Sequence, residues 1–166
     1  MPEPVTELAG RVAAEPLGAW LDQVDFARGQ PLAIERLCGG YANELFRLRR
    51  GSRVAVLRRP SGMALARVAD GLMREFRALS ALDATQVPHP RSVALCEDAA
   101  VLGCSFNVME SVDGFSPVAP LPAPFDGPAG MRDVALAQLD ALAAFHEVDW
   151  RAAGLRTVAA TGEAHT

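Results

Sequence analysis

Two adjacent arginines, Arg58 and Arg59, end an apolar stretch of the chain and are well suited to binding phosphate. The residues before them, VAVL, are apolar, and a Pro-Ser-Gly sequence follows them. A guanidinium donates charge-assisted hydrogen bonds in a fixed fork that matches phosphate oxygens. A strand that ends in such a cation is therefore a candidate phosphate site, and a solvated strand end without a ligand is the alternative interpretation.

Three further features have the chemistry that a nucleotide-binding sheet needs around such a cation. The sequence GGYAN at residues 39–43 is poor in side chains, so its backbone could approach phosphates closely. Glu75 flanks an apolar helical stripe and could orient the cation, and VMESVDG at residues 108–114 could offer backbone to an adenine ring. Taken singly, these features also fit a plain hairpin turn, a solvated helix flank and a core strand.

The order of elements predicts an α+β fold in which a five-stranded antiparallel sheet has one helix inserted after its third strand. Gly51-Ser52 separates two of the strands and predicts a short hairpin turn. The clearest helix covers residues 63–83, where apolar residues recur at helical spacing on one stripe. The predicted strands cover residues 32–37, 44–50, 53–59, 93–98 and 105–111.

Outside the sheet segment, residues 31–112, the pattern predicts four further segments. Residues 1–30 form a helical segment, with a helix at about residues 6–28. Residues 113–130 hold five prolines and three glycines, which is typical of a linker. A second helix is predicted at about residues 131–148 within the segment 131–150, and residues 151–166 are predicted to fray. The apolar side of this helix consists of Val134, Leu139, Leu142, Phe145 and Val148.

Composition excludes several classes of partner. The net charge of -4 argues against sequence-independent binding of nucleic acid, which needs a basic surface. No apolar run approaches the length of a membrane span, so no membrane contact is expected. The three cysteines are odd in number and lack a C-x-x-C pair, which favours reduced thiols, a cytoplasmic location and no zinc site.

Five motifs in register resemble the aminoglycoside phosphotransferase family, whose members have a protein-kinase-like fold. These motifs are GGYANELFRL, VAVLRRPSG, REFRALSAL with VPHPRSVALCED, and FNVMESVDG. The resemblance covers about residues 32–155 and corresponds to the N-terminal lobe and the start of the C-terminal lobe. Within the family, the chain resembles bacterial relatives of the kinase domain that is fused to acyl-CoA dehydrogenases.

The resemblance implies a nucleotide-binding role for ten residues. Arg58 matches the strand-three cation that faces the phosphates, and Glu75 matches the helix glutamate that pairs with this cation. Arginine replaces the usual lysine at position 58, and the glycine turn is shorter than that of protein kinases. The other implied residues are Gly39, Gly40 and Asn43 in the turn, Val56 and Met109 around the adenine, and Glu110, Ser111 and Val112 in the hinge.

The family's catalytic residues have no counterpart in these 166 residues. The family has a His-Gly-Asp stretch with an Asn five residues after the Asp, and a later Asp that holds Mg²⁺. The asparagines here are Asn43 and Asn107, and HEVDW at residues 146–150 has Gly154 at the position of that Asn. We therefore expect the chain to be truncated, to bind ATP weakly without catalysis, and to hold no metal by itself.

Three hypotheses follow for the function of the chain. It is the nucleotide-binding portion of an ATP-dependent phosphotransferase, a non-catalytic nucleotide-binding or interaction module, or a degenerate gene remnant. The implied partners are a nucleotide and either the missing C-terminal lobe or a second copy bound through the apolar side of residues 131–148.

Overall fold

The computed structural model describes residues 12–37, 43–60, 65–115 and 120–155. The chain divides into two compact units, one formed by residues 1–79 and 90–111 and the other by residues 80–89 and 112–166. The helices are α1 (Ala14–Gln23), α2 (Leu65–Leu82), α3 (Ala99–Leu102) and α4 (Pro128–His146), and the strands are β1 (Leu32–Leu37), β2 (Asn43–Arg50), β3 (Arg53–Pro60), β4 (Ser92–Cys96) and β5 (Phe106–Glu110).

The five strands form one antiparallel sheet in the order β1-β2-β3-β5-β4. Gly51 and Ser52 make the two-residue turn between β2 and β3, and Gly51 has a φ of 56°, a left-handed conformation that glycine adopts without a steric penalty. The α+β class and the five-stranded antiparallel sheet predicted from the sequence are confirmed.

One face of the sheet, the α1 face, forms the hydrophobic core. Alternate residues of β2, β3 and β5 point to this face, where they pack against α1 and the short α3. The Trp20 ring meets the Phe106 ring edge-on, with centroids 4.8 Å apart. The fully buried members of this core include Leu17, Leu21, Phe46, Leu48, Ala55, Leu57, Phe106 and Val108.

The opposite face of the sheet, the α2 face, carries the polar residues that the sequence singled out. Helix α2 contacts this face at the central strand and at one edge strand: Glu75 pairs with Arg58 of β3, and the Ser92 hydroxyl of β4 donates to the Phe76 carbonyl at 3.4 Å. The predicted helix at residues 63–83 is thus confirmed as α2, and it packs on one face of the sheet. Residues 63 and 64 lie outside the described residues.

Arg50 fixes the loop that leaves α1. Its guanidinium is almost fully buried and donates to the carbonyls of Phe26 and Gln30 at 3.2 and 2.9 Å, and it pairs with Asp22 at 2.8 Å. The Gly29 N–H also donates to the Asp22 carboxylate at 2.9 Å, and this hydrogen bond, followed by Arg50, lowers the pKa of Asp22 below its ordinary value.

Two predicted helices differ from the structure at their ends. The first was predicted at residues 6–28 and is observed at Ala14–Gln23, with residues 6–11 outside the described residues. Helix α4 begins at Pro128, inside the predicted linker, because proline is well suited to the first turn of a helix. A Cβ at Gly130 would lie 2.4 Å from the Phe125 Cα, so this turn requires glycine.

No helix in the described part of the chain is long and apolar enough to cross a membrane.

Candidate functional site

Arg58 and Arg59 point to opposite faces of the sheet. Their chemistry is identical, so the sequence offered both as the phosphate-binding cation, and the structure shows which of them lies on the α2 face. Arg59 lies on the α1 face, where Glu44 accepts from its Nε at 3.0 Å and from its Nη2 at 2.9 Å. Its side chain is 13% exposed, and its guanidinium stacks over the Phe46 ring. Arg59 is thus held by the fold, and Arg58 is the cation on the α2 face.

Glu75 pairs with Arg58 across the space between α2 and β3. Nη1 of Arg58 donates to Oε1 of Glu75, and the two side chains are 31% and 29% exposed. The predicted pairing of these residues is therefore confirmed. Because both groups remain partly open to water, the pair contributes orientation rather than a large stabilisation.

Asn43 holds the other edge of the Arg58 guanidinium. With its carboxamide oxygen turned to Arg58, that oxygen accepts from Nη2 at 2.8 Å and from Nε at 3.2 Å. The reverse orientation would place the amide NH₂ against these donors and is disfavoured. Arg58 is thus held by a strand residue on one side and a helix residue on the other.

Val56 and Met109 lie side by side on the α2 face, two positions from Arg58. They are directly paired neighbours on β3 and β5, and both are half-buried. The next pair of these strands on the α2 face is Arg58 with Asn107. The predicted apolar residues for an adenine ring therefore lie on the same face as the predicted phosphate cation.

Asn107 is a buried polar residue with an unusual environment. It is 1% exposed, and its carboxamide oxygen has no hydrogen-bond donor among the described residues. Most buried side-chain oxygens in proteins have such a partner. An oxygen without one lowers the stability of the fold. The sequence alone does not single out Asn107, because an isolated asparagine in a strand carries no signal of its own.

The predicted hinge begins at Glu110, the last residue of β5, and is only partly open. The Glu110 N–H donates to the Arg91 carbonyl at 2.8 Å, so this amide is already used by the edge of the sheet. The carboxylate of Glu110 also accepts from the Arg91 N–H at 3.2 Å. Ser111 is half-buried, and Val112 is 65% exposed. Within the described part of the chain, no hydrogen bond involves these last two residues, so their backbone is the part of the hinge that a ligand could use.

The glycine turn and a metal site are the two remaining parts of the family's nucleotide site. Gly39 and Gly40 lie outside the described residues, so the glycine turn stays a prediction. Among the described residues, no group of three or more His, Cys, Asp or Glu side chains is arranged to hold a metal ion.

The hairpin register contains the signal that would have predicted the contact between Asn43 and Arg58. A two-residue turn at Gly51 and Ser52 pairs Leu45 with Arg58 and Asn43 with Pro60. Asn43 is therefore the diagonal neighbour of Arg58 on the same face, within reach of a long side chain. The resemblance had instead placed Asn43 in the glycine turn, as a residue beside the phosphates.

Three comparisons place the chain among known proteins. The sequence model of a family described as "Phosphotransferase enzyme family" matches residues 33–164. Acyl-CoA dehydrogenase family member 11 of Homo sapiens is 31% identical over 122 residues, which is 74% of this chain and 16% of that protein. Acyl-CoA dehydrogenase family member 10 of Mus musculus is 29% identical over 133 residues, which is 80% of this chain and 12% of that protein.

A solved structure gives the same result for the fold. The crystal structure of a protein from Ralstonia eutropha, assigned as an aminoglycoside phosphotransferase, matches with a TM-score of 0.66 and 28% identity. The match covers 86% of this chain and 40% of that chain. The chain thus spans well under half the length of the relatives and of the solved structure that it matches.

Proposed function

Because the chain belongs to the phosphotransferase enzyme family, we propose that it is the nucleotide-binding portion of an ATP-dependent small-molecule phosphotransferase. The observation that carries the proposal is the α2 face of the sheet, where Arg58 is held between Glu75 and Asn43 beside an apolar pair, Val56 and Met109. A fixed cation next to an apolar surface suits a ligand with a charged end and a flat ring.

Each part of the face has a role in this proposal. Val56 and Met109 contact the adenine ring, and the backbone of Ser111 and Val112 hydrogen-bonds its edge. Arg58 donates to phosphate oxygens, and Glu75 keeps the guanidinium directed at them. Gly39 and Gly40 let the backbone approach the phosphates, as a turn without side chains allows.

We propose that residues 1–166 by themselves bind ATP without transferring its phosphoryl group. These residues contain no His-Gly-Asp stretch. Phosphoryl transfer in this family is expected to use Mg²⁺, which neutralises charge on the phosphates when bound. The described residues hold no cluster suited to a metal ion, so no step of the reaction is assigned to them. A nucleotide-binding module without catalysis is the second candidate function.

The location of the protein in the cytoplasm remains part of the proposal. Cys96 and Cys104 are both free thiols in the structure, and burial raises the pKa of each. Unpaired cysteines are what a reducing compartment maintains.

Calorimetric titration of ATP into the chain tests nucleotide binding. The Arg58→Ala variant should bind ATP about tenfold more weakly than the wild type, because a charge-assisted contact to phosphate is lost. Arg49→Ala is the matched control, since Arg49 is an exposed arginine of β2 on the same face and should leave the affinity unchanged. A wild-type chain that does not bind ATP, or equal losses in the two variants, would refute the proposal.

A further inference from the structure

We propose that Asn43 is a positioning residue that fixes the orientation of the Arg58 guanidinium, rather than a direct contact of the nucleotide. The inference rests on the proposed function, since the orientation matters for a phosphate-bearing ligand. It also makes a claim about the ligand-free protein that is independent of ATP, namely that Asn43 holds the Nε edge of Arg58.

The geometry of the hairpin places Asn43 for this task. With its amide assigned so that the oxygen faces Arg58, this oxygen lies 2.8 Å from Nη2 and 3.2 Å from Nε, and these two nitrogens form one edge of the guanidinium. Glu75 accepts from Nη1, which is the third nitrogen of the guanidinium. All three nitrogens of the group therefore have a protein acceptor, and they come from two different elements, β2 and α2.

The arrangement leaves a defined part of the guanidinium for a ligand. A guanidinium has five N–H groups, of which the contacts with Asn43 and Glu75 use three. One N–H then remains on Nη1 and one on Nη2. When Glu75 occupies the Nη1–H on the side of Cδ, these two N–H groups lie on one edge of the guanidinium, as a bidentate contact with phosphate oxygens requires.

Asn43 explains how an arginine can act at this position. With Glu75 alone, the guanidinium would be held at one nitrogen, and the planar group could still rotate about the Cδ–Nε bond. The second acceptor blocks this rotation, which lowers the entropy that a ligand must overcome on binding. A lysine has no Nε edge, so its ammonium could not use Asn43 in this way.

The oxygen of Asn43 is also unsuited to contact the nucleotide itself. A carboxamide oxygen has two lone pairs, and two N–H groups of Arg58 already approach it. Phosphate oxygens are acceptors, so they would be repelled by this oxygen. The amide NH₂ of Asn43 could still donate to a phosphate, and the experiment below separates that direct contact from positioning.

A double-mutant cycle on ATP affinity separates the two roles. Asn43→Ala should weaken ATP binding about tenfold in the wild type and should have no further effect when Arg58 is already alanine. Its effect on adenosine, which lacks phosphates, should be absent. An equal loss in the Arg58→Ala background would show that Asn43 contacts the nucleotide directly and would overturn the inference.

Nuclear magnetic resonance of the nucleotide-free chain tests the same contact without ATP. The Arg58 Nε–H should exchange slowly with water in the wild type and rapidly in Asn43→Ala, while the backbone spectrum stays that of a folded protein. Asn43→Asp keeps an acceptor oxygen and should retain the slow exchange. If the wild-type chain fails to bind ATP, the proposed function is wrong, and this measurement still decides the inference. Rapid exchange in the wild type would refute it.

Discussion

At the scale of single residues, neighbouring side chains of identical type have different roles because a strand alternates between its two faces. Arg58 lies on the α2 face with Glu75 and Asn43, whereas Arg59 lies on the α1 face with Glu44. The difference comes entirely from the period of two in a β-strand. A one-residue change in register would exchange them and would remove the candidate phosphate site.

Asn107 gives the residue-scale prediction on stability. Its buried oxygen has no donor among the described residues, and leaving such a group unsatisfied costs about 1–3 kcal/mol. Leucine has the same branched shape and no polar atom, so Asn107→Leu should raise the free energy of unfolding by about 1 kcal/mol. Urea denaturation of the two proteins measures the difference.

A variant at the paired position provides the control. Leu95 lies opposite Asn107 on β4 and is half-buried, and Leu95→Ala should lower the free energy of unfolding, as for an ordinary apolar contact. A clear loss of stability in Asn107→Leu would mean that the Asn107 side chain makes a favourable contact that the described residues do not account for.

At the scale of elements, the sheet has a helix on each side, and side chains from each helix contact it. Helix α1 is held by apolar burial of Leu17 and Leu21, and by Arg50 at its exit loop. Helix α2 reaches the sheet through Glu75 and through the Phe76 carbonyl. The α2 face of the sheet thus has polar contacts with the helix beside Arg58 and at β4, and such contacts can fix the orientation of a side chain.

Helix α4 gives the element-scale prediction. Leu139, Leu142 and Phe145 recur every three residues, and they are 60%, 49% and 49% exposed. An exposed apolar stripe of this kind drives association, so the purified chain should bind a second copy of itself through α4. Light scattering over a range of concentrations should show a mass above that of the 17.6 kDa monomer.

Two substitutions on α4 distinguish the stripe from other surfaces. Leu139→Glu should shift the chain toward the monomer, whereas Gln138→Glu adds the same charge at an exposed neighbouring position and should not. A wild-type chain that remains monomeric at high concentration and binds no hydrophobic dye would contradict the prediction.

At the scale of the whole molecule, these 166 residues include the side chains that we propose to bind a nucleotide, and they contain no His-Gly-Asp stretch. The matched part of the chain covers 16% and 12% of the two curated relatives and 40% of the matched structure. Binding of the nucleotide and turnover are therefore separate questions for these residues, because a reaction also requires a base for the acceptor hydroxyl and charge neutralisation at the phosphates.

We expect the purified 166-residue chain to show no phosphotransferase activity, even where it binds ATP. A coupled assay of ADP release with Mg²⁺, against a panel of small alcohols, measures this directly. Boiled protein and Arg58→Ala provide the background rate. Release of ADP that depends on an added alcohol, and that disappears in Arg58→Ala, would show that the catalytic groups lie among residues to which no role is assigned.

The local pattern of the sequence was sufficient to predict most of the elements and their order. The turn at Gly51 and Ser52, the apolar stripe of α2 and the alternating strands are all encoded within a few residues of each other. The resemblance to a known family then predicted that Arg58 and Glu75 would meet, and they do. Their contact with a nucleotide stays a prediction.

The tertiary structure decided which groups near the site are already engaged. It paired Arg59 with Glu44, turned Asn43 toward Arg58 and used the Glu110 amide to join β5 to the residue before β4. It also left the oxygen of Asn107 without a donor among the described residues. These outcomes depend on side chains that are far apart in the chain and meet only when the strands pair. Local periodicity places a residue on a face, but the competition among neighbours for each hydrogen bond is settled only in three dimensions.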